Sequence, residues 1–562
     1  MRWTLKKNQN PEVIQHLITT LNVNPLIATL LTQRGVTTFE EARNFFRPSL
    51  AHLHDPFLMK DMDKAVQRVE QALKNQERIL VYGDYDVDGT TAVALMASYL
   101  RSIGAEVDTY IPDRYLEGYG ISTQGIDYAD DNGITLIIAL DCGIKSIDKI
   151  AYAKTKNIDF IICDHHLPGS EIPDAVAVLD PKRADCEYPY KELCGCGVGF
   201  KLIQALAIQR GQTIVDLMPY LDLVATAIAA DIVSITGENR VLAYFGLQVI
   251  NQNPRPGLLA LKKMHPITSF TITDVVFKIA PKINAAGRIK HGNFAVKLLT
   301  EFNLEQAEEV AKEIDIFNNS RKELDQSITK EALLQVEELD EKHTASTVVF
   351  SESWHKGVIG IVASRLIENY YRPTLVFTKS GDYLAASARS VKGFDMYEAL
   401  EACSEHLLQF GGHTHAAGLT CLPEKYQDFK NAFEAYTLKN LPKEAKIEEL
   451  EIDAVIDFND LTERNLRILK QFEPHGPGNM TPVFLTQNVF DTGNAKCLGK
   501  NNEHLRMFVK QNNSNGIPAI AFKKGELLET TRNLKLMQLV YSLSENQWKD
   551  QVTLQLQVKD MK

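Results

Sequence analysis

The sequence predicts an α/β protein of about three or four domains, because three patterns follow one another along its 562 residues. Residues 56–240 alternate short apolar runs with helical segments, which is typical of a doubly wound parallel sheet. Residues 303–342 contain no glycine or proline and carry apolar residues at helical spacing, which predicts one long helix. Residues 446–562 hold about five short alternating segments, which favour an OB-type β-barrel.

The elements of the first domain follow from its apolar runs. A buried parallel strand is a short apolar run that ends in turn residues. This pattern predicts strands at residues 79–82, 106–111, 135–141, 158–164 and 175–179. Helices are predicted at residues 62–73 and 90–103, the second because Gly104 ends a run of good helix formers.

Three aspartates alternate directly after the first of these strands. Asp84, Asp86 and Asp88 would repel one another, and a bound cation is the usual counter-charge for such a group. A calcium loop of the EF-hand type begins in the same way, but it needs a preceding helix and a glutamate at its twelfth position. Here a strand precedes the acids and the twelfth position is Leu95, so we reject that interpretation. A solvated acidic turn stays open from this stretch alone.

Two more of the predicted strands end in an acid, at Asp141 and at Asp164, and His165 and His166 follow the second. Because the carboxyl ends of parallel strands meet at one edge of a sheet, these side chains should lie near the first three aspartates. Carboxylates and imidazoles without thiolates suit Mn²⁺ or Mg²⁺ better than a structural zinc ion. Asp231 ends an apolar helical run, where burial is costly without a cation or a partner.

The composition is that of a globular protein, with 44% hydrophobic and 24% charged residues. No apolar run approaches the ~18 residues of a membrane span, and the first residues lack the apolar core of a signal peptide, so we expect a cytoplasmic protein. The eight cysteines form no Cys-x-x-Cys pair, and Cys194-Gly-Cys196 is too tight for the common zinc spacings. We interpret them as reduced thiols, mostly packing.

Charge is unevenly distributed along the chain. The net charge of −11 argues weakly against a nucleic-acid partner. Residues 496–562, however, hold eleven Lys and Arg against six Asp and Glu, and a basic barrel with aromatic platforms is typical of single-strand binding. The predicted barrel strands are residues 483–489, 504–509, 517–522, 534–543 and 551–558, after a Pro/Gly loop at residues 471–479. The candidate aromatic platforms are Phe508, Phe522, Tyr541 and Trp548.

Two further regions complete the organisation. Residues 1–55 have helical spacing without a catalytic signal, which favours a small packing subdomain. Within residues 343–445, strands are predicted at 348–350, 374–378 and 384–390 and a helix at 357–367. Residues 411–418 are predicted to be a flexible loop whose His413 and His415 could hold a metal. Because no acid or thiol is near them in sequence, we favour a contact with phosphate instead.

Four motifs in order resemble the DHH phosphoesterase superfamily: Gly83-Asp-Tyr-Asp-Val-Asp-Gly89, Leu140-Asp-Cys-Gly143, Asp164-His-His166 and Ala230-Asp-Ile-Val233. Three later motifs narrow the resemblance to the bacterial single-strand-specific 5′→3′ exonucleases of that superfamily: Pro281-Lys-Ile-Asn-Ala-Ala-Gly-Arg288, Trp354-His-Lys-Gly-Val-Ile-Gly-Ile-Val-Ala-Ser-Arg365 and Phe410-Gly-Gly-His-Thr-His-Ala-Ala-Gly418. The resemblance implies an N-terminal helical region (1–55), a DHH catalytic domain (56–302), a connecting helix (303–342), a smaller α/β DHH-associated domain (343–445) and an OB-fold nucleic-acid-binding domain (446–562).

The resemblance also implies a two-metal exonuclease of DNA recombination and repair that releases 5′-mononucleotides. The implied metal ligands are Asp84, Asp86, Asp141, His165 and Asp231, with Asp86 and Asp141 shared between the ions. His166 is implied to lie near the scissile phosphate, and Asp88 and Asp164 to orient ligands. The resemblance makes Arg288 a phosphate contact, and the other candidate contacts with the substrate and its 5′-phosphate are Arg114, Ser387, Arg389, His413 and His415. The alternative, that these arginines make ordinary surface ion pairs, stays open.

Two other functions stay open. A small-molecule enzyme of the superfamily, such as a pyrophosphatase or a phosphodiesterase for cyclic dinucleotides or short oligoribonucleotides, would use the same chemistry, although the length and the barrel count against it. A non-catalytic scaffold would have lost ligands, whereas all five ligand positions are intact. We expect two Mn²⁺ or Mg²⁺ ions, single-stranded DNA as substrate, a single-strand-binding protein and a helicase as candidate partners, no membrane, and a monomer.

Overall fold

The computed structural model describes residues 1–7, 10–338, 343–533, 536–548 and 551–562, with side chains for all of these except 547–548 and 551–552. The N-terminal region contains a short strand and three helices: β1 (Arg2–Leu5), α1 (Pro11–Leu21), α2 (Pro25–Thr32) and α3 (Phe39–Phe46). Asn10, Asn24 and Thr38 precede the three helices, and each side chain accepts a hydrogen bond from a first-turn amide. These caps satisfy backbone donors that the helix itself cannot, which is why the helices begin there.

A five-stranded parallel sheet forms the centre of the next domain, in the order β3-β2-β4-β5-β6. All five predicted strands are present, with ends that differ by a residue or two. The elements are α4 (Met62–Asn75), β2 (Ile79–Gly83), α5 (Val87–Ser102), β3 (Val107–Tyr110), α6 (Thr123–Asp131), β4 (Leu136–Leu140), α7 (Ile147–Thr155), β5 (Asp159–Cys163) and β6 (Ala177–Leu179).

Two apolar cores lie on the two faces of this sheet. Ile79 and Val81 of β2 point into the core that contains α5, whereas Leu80 and Tyr82 point into the core that contains α6 and α7. Because both faces are covered, the strands are apolar throughout, and this explains why continuous apolar runs predicted them.

A helical layer follows the sheet, and it completes the larger core. Its helices are α8 (Gly195–Gln209), α9 (Leu221–Ala230), α10 (Gly237–Gln252), α11 (Pro256–Lys263), α12 (Ile272–Asp274), α13 (Ala280–Ile289) and α14 (Asn293–Thr300). A π-helical turn at Val275–Ile279 joins α12 to α13. Among the helices of the described residues, none has a stretch long and apolar enough to cross a membrane.

The predicted connecting helix is α15 (Leu304–Glu338), and residues 339–342 of the prediction lie outside the described residues. Its first turns bury Ala307, Ala311 and Ile314 in the core of the parallel-sheet domain. Its last turns bury Ile328 and Ala332 in a core of the second α/β domain. The helix therefore joins two hydrophobic cores, as expected of a long helix whose apolar stripe is narrow.

The second α/β domain has a mixed five-stranded sheet in the order β10-β11-β9-β8-β7. Its elements are β7 (Thr347–Ser351), α16 (Ile359–Asn369), β8 (Thr374–Ser380), β9 (Tyr383–Arg389), α17 (Met396–Ala402), β10 (Gln409–His413), β11 (Ala416–Cys421) and α18 (Tyr426–Asn440). The predicted flexible loop at 411–418 is wrong, because these residues form a β-hairpin. Its glycines suggested a loop, but the open strand edge of β9 offers the hydrogen bonds that hold β11 in the sheet.

The C-terminal region is a barrel in which the strand order β13-β14-β18-β19-β17-β16-β15 is closed by an additional pairing of β14 with β16. The five predicted strands are present among the described residues, although residues 534–535 of the fourth prediction lie outside them, and three short strands were not predicted. The elements are β12 (Glu449–Ile452), β13 (Ala454–Val455), α19 (Glu463–Lys470), β14 (Val483–Asp491), β15 (Lys496–Leu498), β16 (His504–Gln511), β17 (Ile517–Ala521), α20 (Leu528–Asn533), β18 (Met537–Trp548) and β19 (Gln551–Met561).

The N-terminal helices belong to the barrel rather than to a subdomain of their own. Leu17, Ile27 and Leu31 are fully buried and share one core with barrel residues such as Leu505 and Leu539. Strand β1 also pairs in parallel with β12. The predicted helices thus pack on the barrel, which the sequence could not show, since helical spacing reveals which face of a helix is apolar but not what covers it.

Candidate metal centre and phosphate cleft

Three aspartates emerge side by side at the carboxyl edge of the parallel sheet. Gly83, Leu140 and Cys163 are register partners on the adjacent strands β2, β4 and β5. Asp84, Asp141 and Asp164 follow these residues directly. All three are buried, with at most 2% of their surface exposed. The edge predicted from the strand ends is the edge at which they meet.

Asp86 and Asp88 lie at the start of α5. Asp86 caps the helix, and its Oδ1 accepts the Gly89 amide at 3.0 Å. Asp88 belongs to the first turn of the helix rather than to the predicted loop, and its two oxygens accept the amides of Gly195 at 2.7 Å and Cys196 at 2.8 Å. The first turn of α8 therefore holds the Asp88 carboxylate, and its free amides favour a negative charge there.

Gly195 is a site residue that sequence analysis missed. A Cβ added to it would lie 2.5 Å from the Cβ of Asp141. Only glycine lets the start of α8 approach Asp141 and Asp88 together, since any other side chain would push the helix away. The spacing of Cys194-Gly-Cys196 excludes a common zinc site but gives no sign of this close approach. All eight cysteines of the chain are free, and seven of them are buried.

His165 lies at the centre of the acidic group. Its Nε2 is 3.2 Å from Oδ1 of Asp141, 3.6 Å from Oδ2 of Asp231 and 3.8 Å from Oδ2 of Asp88. Asp231 reaches this point from the carboxyl end of α9, as its place after an apolar run suggested. Asp88, His165 and Asp231 offer ligand atoms within 4.8 Å of one another, and so do Asp141, His165 and His166.

Several polar atoms of this group are buried without a hydrogen-bond partner. They are both carboxylate oxygens of Asp84 and both ring nitrogens of His165. Buried polar atoms are nearly always paired, and leaving them unpaired is costly. Carboxylate oxygens and a neutral imidazole are ligands that Mn²⁺ and Mg²⁺ accept, so the residues present fit divalent cations.

The electrostatics of the group indicate the same need for positive charge. Burial, followed by the nearby charge of Asp86, raises the pKa of Asp88 to about 7. Burial, followed by the charge of Asp88, raises the pKa of Asp231 to about 8. Burial and neighbouring carboxylates also raise the pKa values of Asp84 and Asp141 well above the usual range. Burial lowers the pKa of His165 to about 3, which keeps it neutral and free to coordinate.

Asp164 holds His166 at the mouth of the group. The ring Nδ1 of His166 is 2.7 Å from Oδ1 of Asp164, and the amide of Ile144 donates to Oδ2 of Asp164 at 2.9 Å. Burial alone would raise the pKa of Asp164, but the hydrogen bond from His166 lowers it to about 2. Burial opposes the charge on His166, but the bond to Asp164 raises its pKa to about 9. His166 is therefore a cation at neutral pH, and its side chain is 44% exposed.

Tyr119 and Asp180 are two more residues that the sequence analysis did not single out. The hydroxyl of Tyr119 lies 3.1 Å from Nε2 of His166, at the mouth of the group. Asp180 directly follows strand β6 and is fully buried, with one oxygen unpaired. The rule that found the first three acids would have found Asp180 as well, because β6 also ends in an acid, whereas no pattern distinguishes Tyr119 from the tyrosines around it.

A group of arginines lies next to the metal-ligand candidates, where the two α/β domains meet. Nη1 of Arg288 donates to the carbonyl of Gly357 at 3.0 Å, which joins α13 to the second domain. Arg114 stacks 4.5 Å from the ring centre of Tyr85. Burial, followed by the charges of Arg114 and Arg389, lowers the pKa of Arg288 to about 9. Three cations this close attract an anion, as expected of a phosphate cleft.

Ser387 and Arg389 lie together on β9, and Nη1 of Arg389 is 3.2 Å from Oγ of Ser387. Gly360 in the first turn of α16 packs on both, since an added Cβ would lie 2.9 Å from Oγ of Ser387 and 3.0 Å from Nη2 of Arg389. The serine and the arginine therefore lie beside a helix start, where free amides favour anions. The neighbouring hairpin presents His413 and His415 to solvent.

Burial, followed by the charges of His415, Arg389 and His166, lowers the pKa of His413. The β10-β11 hairpin, strand β9 and the metal-ligand candidates therefore lie close enough for their charges to interact.

Of the barrel aromatics, Phe508 and Phe522 are 38% and 49% exposed, whereas Tyr541 is fully buried and its hydroxyl is hydrogen-bonded to that of Thr486. Tyr541 is therefore core and not a base platform, and the side chain of Trp548 lies outside the described residues.

A parallel sheet whose strand ends carry a row of aspartates and an Asp-His-His motif defines a metal-dependent phosphoesterase of the DHH class. The family model for the N-terminal domain of the DHH family matches residues 78–228. The DHHA1 domain matches residues 341–439, and the RecJ OB domain matches residues 452–560. The three matches follow the order of the α/β domains and the barrel.

The similarity extends over the whole chain. The single-stranded-DNA-specific exonuclease RecJ of Bacillus subtilis is 37% identical, over 100% of this chain and 70% of its own length. The RecJ of Escherichia coli is 32% identical, over 95% of each chain. A crystal structure of RecJ from Thermus thermophilus in complex with Mn²⁺ superimposes with a TM-score of 0.86 at 27% identity, over 100% of this chain and 79% of that one. The chain belongs to the RecJ family.

Proposed function

We propose that this chain is a metal-dependent exonuclease that hydrolyses single-stranded DNA from its 5′ end and releases 5′-mononucleotides, in DNA recombination and repair. The observation that carries the proposal is the pairing of two features in one cleft. An acidic group with unpaired ligand atoms lies on the parallel-sheet domain, and a group of mutually repelling arginines lies at the junction with the second α/β domain. Members of the RecJ family are named for this activity.

The proposed ligands of two Mn²⁺ or Mg²⁺ ions are Asp84, Asp86, Asp141, His165 and Asp231. Such ions, when bound, activate a water molecule and stabilise the leaving oxygen. Asp86 and Asp141 are the candidates for ligands shared between the ions. Asp88, which the amides of α8 hold 3.8 Å from Nε2 of His165, is proposed to orient that ligand. The catalytic aspartates are then Asp84, Asp86 and Asp141.

His166 is proposed to act on the substrate rather than on the ions. It is protonated at neutral pH, because Asp164 raises its pKa to about 9, and it faces solvent at the mouth of the group. A fixed cation here would bind the scissile phosphate and stabilise the charge that develops on it. Asp164 fixes the ring through Nδ1, so that Nε2 is the nitrogen that faces the substrate.

Recognition of the 5′ end is assigned to the arginine group. A terminal phosphate carries more negative charge than an internal diester, and a guanidinium matches it with two parallel hydrogen bonds. The proposed contacts are Arg114, Arg288, Ser387, Arg389, His413 and His415. Because α15 holds the two α/β domains against one cleft, we propose that the width of the cleft excludes duplex DNA.

The remaining parts of the proposal concern organisation and partners. We propose domain boundaries at residues 55, 302, 342 and 445, a monomer because one chain carries every proposed ligand, and a cytoplasmic location because eight free thiols suit a reducing compartment. A single-strand-binding protein and a helicase are proposed as partners, because both prepare the strand that this cleft would take.

The test compares substrates that separate the exonuclease from a small-molecule enzyme of the same class. We expect Mn²⁺-dependent release of mononucleotides from a long 5′-phosphorylated single strand, far more slowly from the same strand in a blunt duplex. A chelator should stop the reaction. Preference for a dinucleotide over the long strand would favour the small-molecule function, and the absence of hydrolysis in every reaction would favour a scaffold.

A further inference from the structure

We infer that the Pro/Gly loop of the barrel, residues 471–479, is a positioning element for Asp231 and so couples docking of the barrel to ion binding at the metal centre. The inference rests on the proposed function, because it takes Asp231 as a ligand. The loop lies between α19 and β14, at the start of the barrel. It touches the segment that directly follows Asp231.

Asp231 is the proposed ligand that the parallel sheet does not anchor. It follows the last residue of α9, and Ile232 after it has a φ of +57°. A β-branched residue rarely adopts this left-handed conformation, which costs free energy and persists only where the surroundings hold it. The side chain of Ile232 is 63% exposed, so packing of this residue does not supply the restraint.

Restraints act at Ser234 and Ile235, three and four residues after Asp231. Within the catalytic domain, Asn239 and Tyr190 donate hydrogen bonds to the carbonyl of Ser234, and the barrel loop supplies further contacts. Ile235 is 1% exposed, and its amide donates to the carbonyl of Pro477 at 2.7 Å. Gly476 packs so closely on Ile235 that an added Cβ would overlap the Cγ1 atom of that side chain. A Cβ on Gly478 would lie 2.7 Å from Oγ of Ser234. The loop therefore packs against the backbone that follows Asp231 and forms a hydrogen bond with it.

The loop can hold Asp231 because it is itself held. Arg240 of α10 is 4% exposed, and its guanidinium donates to five backbone carbonyls: those of Phe45, Gln471, Phe472, Glu473 and Pro474. The side-chain amide of Asn479 donates to two of the same carbonyls, and its oxygen accepts a hydrogen bond from Arg34. Because so many of its carbonyls accept hydrogen bonds, the loop is rigid. A rigid loop can fix the position of Asp231.

These contacts link three parts of the molecule. Arg240 belongs to the catalytic domain, the loop to the barrel, and Phe45 to the N-terminal helices that share the core of the barrel. If the loop fixes Asp231, ions that bind Asp231 must in turn favour the docked loop, because coupling between two equilibria is reciprocal. A barrel that shifts on DNA would therefore change the affinity for the ions.

The experiment titrates the full chain with Mn²⁺ alone in a calorimeter, without DNA. Gly476→Ala should weaken binding at one ion site by about tenfold, the lower range of what loss of a supporting contact costs a metal site. Adding Ile235→Ala removes the overlapping Cγ1 atom, so the double variant should recover most of the affinity. Gly516→Ala is the matched control, because it creates an overlap in the same barrel, with Phe508.

Arg240→Lys is a second variant, which keeps the charge but cannot reach five carbonyls, and it should also weaken binding. Asp231→Asn shows what loss of the ligand itself does. Wild-type affinity in both Gly476→Ala and Arg240→Lys, with a loss in Asp231→Asn, would overturn the positioning role alone. Wild-type affinity in Asp231→Asn would overturn the ligand assignment, and the positioning role with it.

Discussion

At the scale of single residues, the metal centre is a group of buried acids whose charges oppose one another. Burial raises the pKa of Asp88 to about 7 and that of Asp231 to about 8. A carboxyl whose pKa is higher in the folded state than in the unfolded chain stabilises the fold only while it keeps its proton. The free energy of unfolding of the metal-free protein should therefore fall as pH rises from about 4 to about 8.

His166 acts in the same direction, because its raised pKa of about 9 contributes stability that is lost as pH rises through that value. We expect thermal unfolding in a chelator to occur at a lower temperature at pH 8 than at pH 6. Excess Mg²⁺ should reduce the difference, since a cation replaces the protons, and Asp231→Asn should reduce it without metal. A metal-free protein that is more stable at pH 8 than at pH 6 would contradict this description.

Arg389 tests the proposed 5′-phosphate pocket. Burial and the charge of Arg114 lower its pKa, which shows that it is partly desolvated beside another cation and attracts an anion. We expect Arg389→Ala to raise KM on 5′-phosphorylated strands by about tenfold, the scale of one charge-assisted hydrogen bond. The advantage over 5′-hydroxyl strands should shrink, while Mn²⁺ affinity stays unchanged.

Arg43→Ala, which removes an exposed arginine paired with Glu40, is the matched control for Arg389→Ala. Arg389→Lys should recover part of the affinity, because it restores the charge but not the bidentate geometry. An undiminished preference for the 5′-phosphate in Arg389→Ala would mean that the pocket lies elsewhere.

At the scale of elements, the start of α8 is the part of the centre that offers the cleanest comparison. Gly195→Ala would bring a Cβ to 2.5 Å from Asp141 and displace the amides that hold Asp88. Gly197→Ala, two residues further on, meets no atom closer than 3.5 Å. We expect Gly195→Ala to weaken Mn²⁺ binding by about tenfold or more and Gly197→Ala to leave it unchanged, as measured by calorimetry. If Gly195→Ala binds Mn²⁺ as tightly as Gly197→Ala and the wild type do, the start of α8 has no role in ion binding.

The elements also divide according to what the sequence could predict. The strands of the parallel sheet and helix α15 were predictable, because their apolar patterns are set by what each element buries locally. The hairpin at 411–418 was not, because its strand conformation depends on the edge of β9, which is distant in sequence. The ordered acids predicted the metal centre, whereas Gly195 and Tyr119 owe their roles to tertiary approach alone.

At the scale of the whole molecule, the barrel and the N-terminal helices form one unit that Arg240 joins to the catalytic domain. The net charge of −11 conceals the basic part of the barrel, residues 496–562, because the acidic excess lies in the rest of the chain. The barrel carries exposed cations such as Lys496 and Arg506, which are paired in register on adjacent strands. Truncation at residue 446 would also uncover the N-terminal helices, so substitutions test the barrel better.

Replacing Lys496 and Arg506 with Gln should weaken binding to long single strands. It should also reduce the slope of log affinity against log salt by about 1.4, since each phosphate contact to a single strand contributes about 0.7. Lys154 and Lys156, which pair with acids on the catalytic domain, provide a two-charge control. An unchanged slope in the barrel variant would show that this face does not follow the DNA backbone.

We propose that the aspartate group, with two ions bound, removes nucleotides from the 5′ end of a single strand. The most direct measurement follows one long strand labelled at either end, with Mn²⁺, in the wild type and in Asp86→Asn, whose amide still caps α5. The 5′ label should appear at once as mononucleotide, whereas the 3′ label should pass through a ladder of shortened strands. Asp86→Asn should fall below about 1% of the wild-type rate while folding normally. Early release of the 3′ label, or wild-type turnover in Asp86→Asn, would contradict the claim.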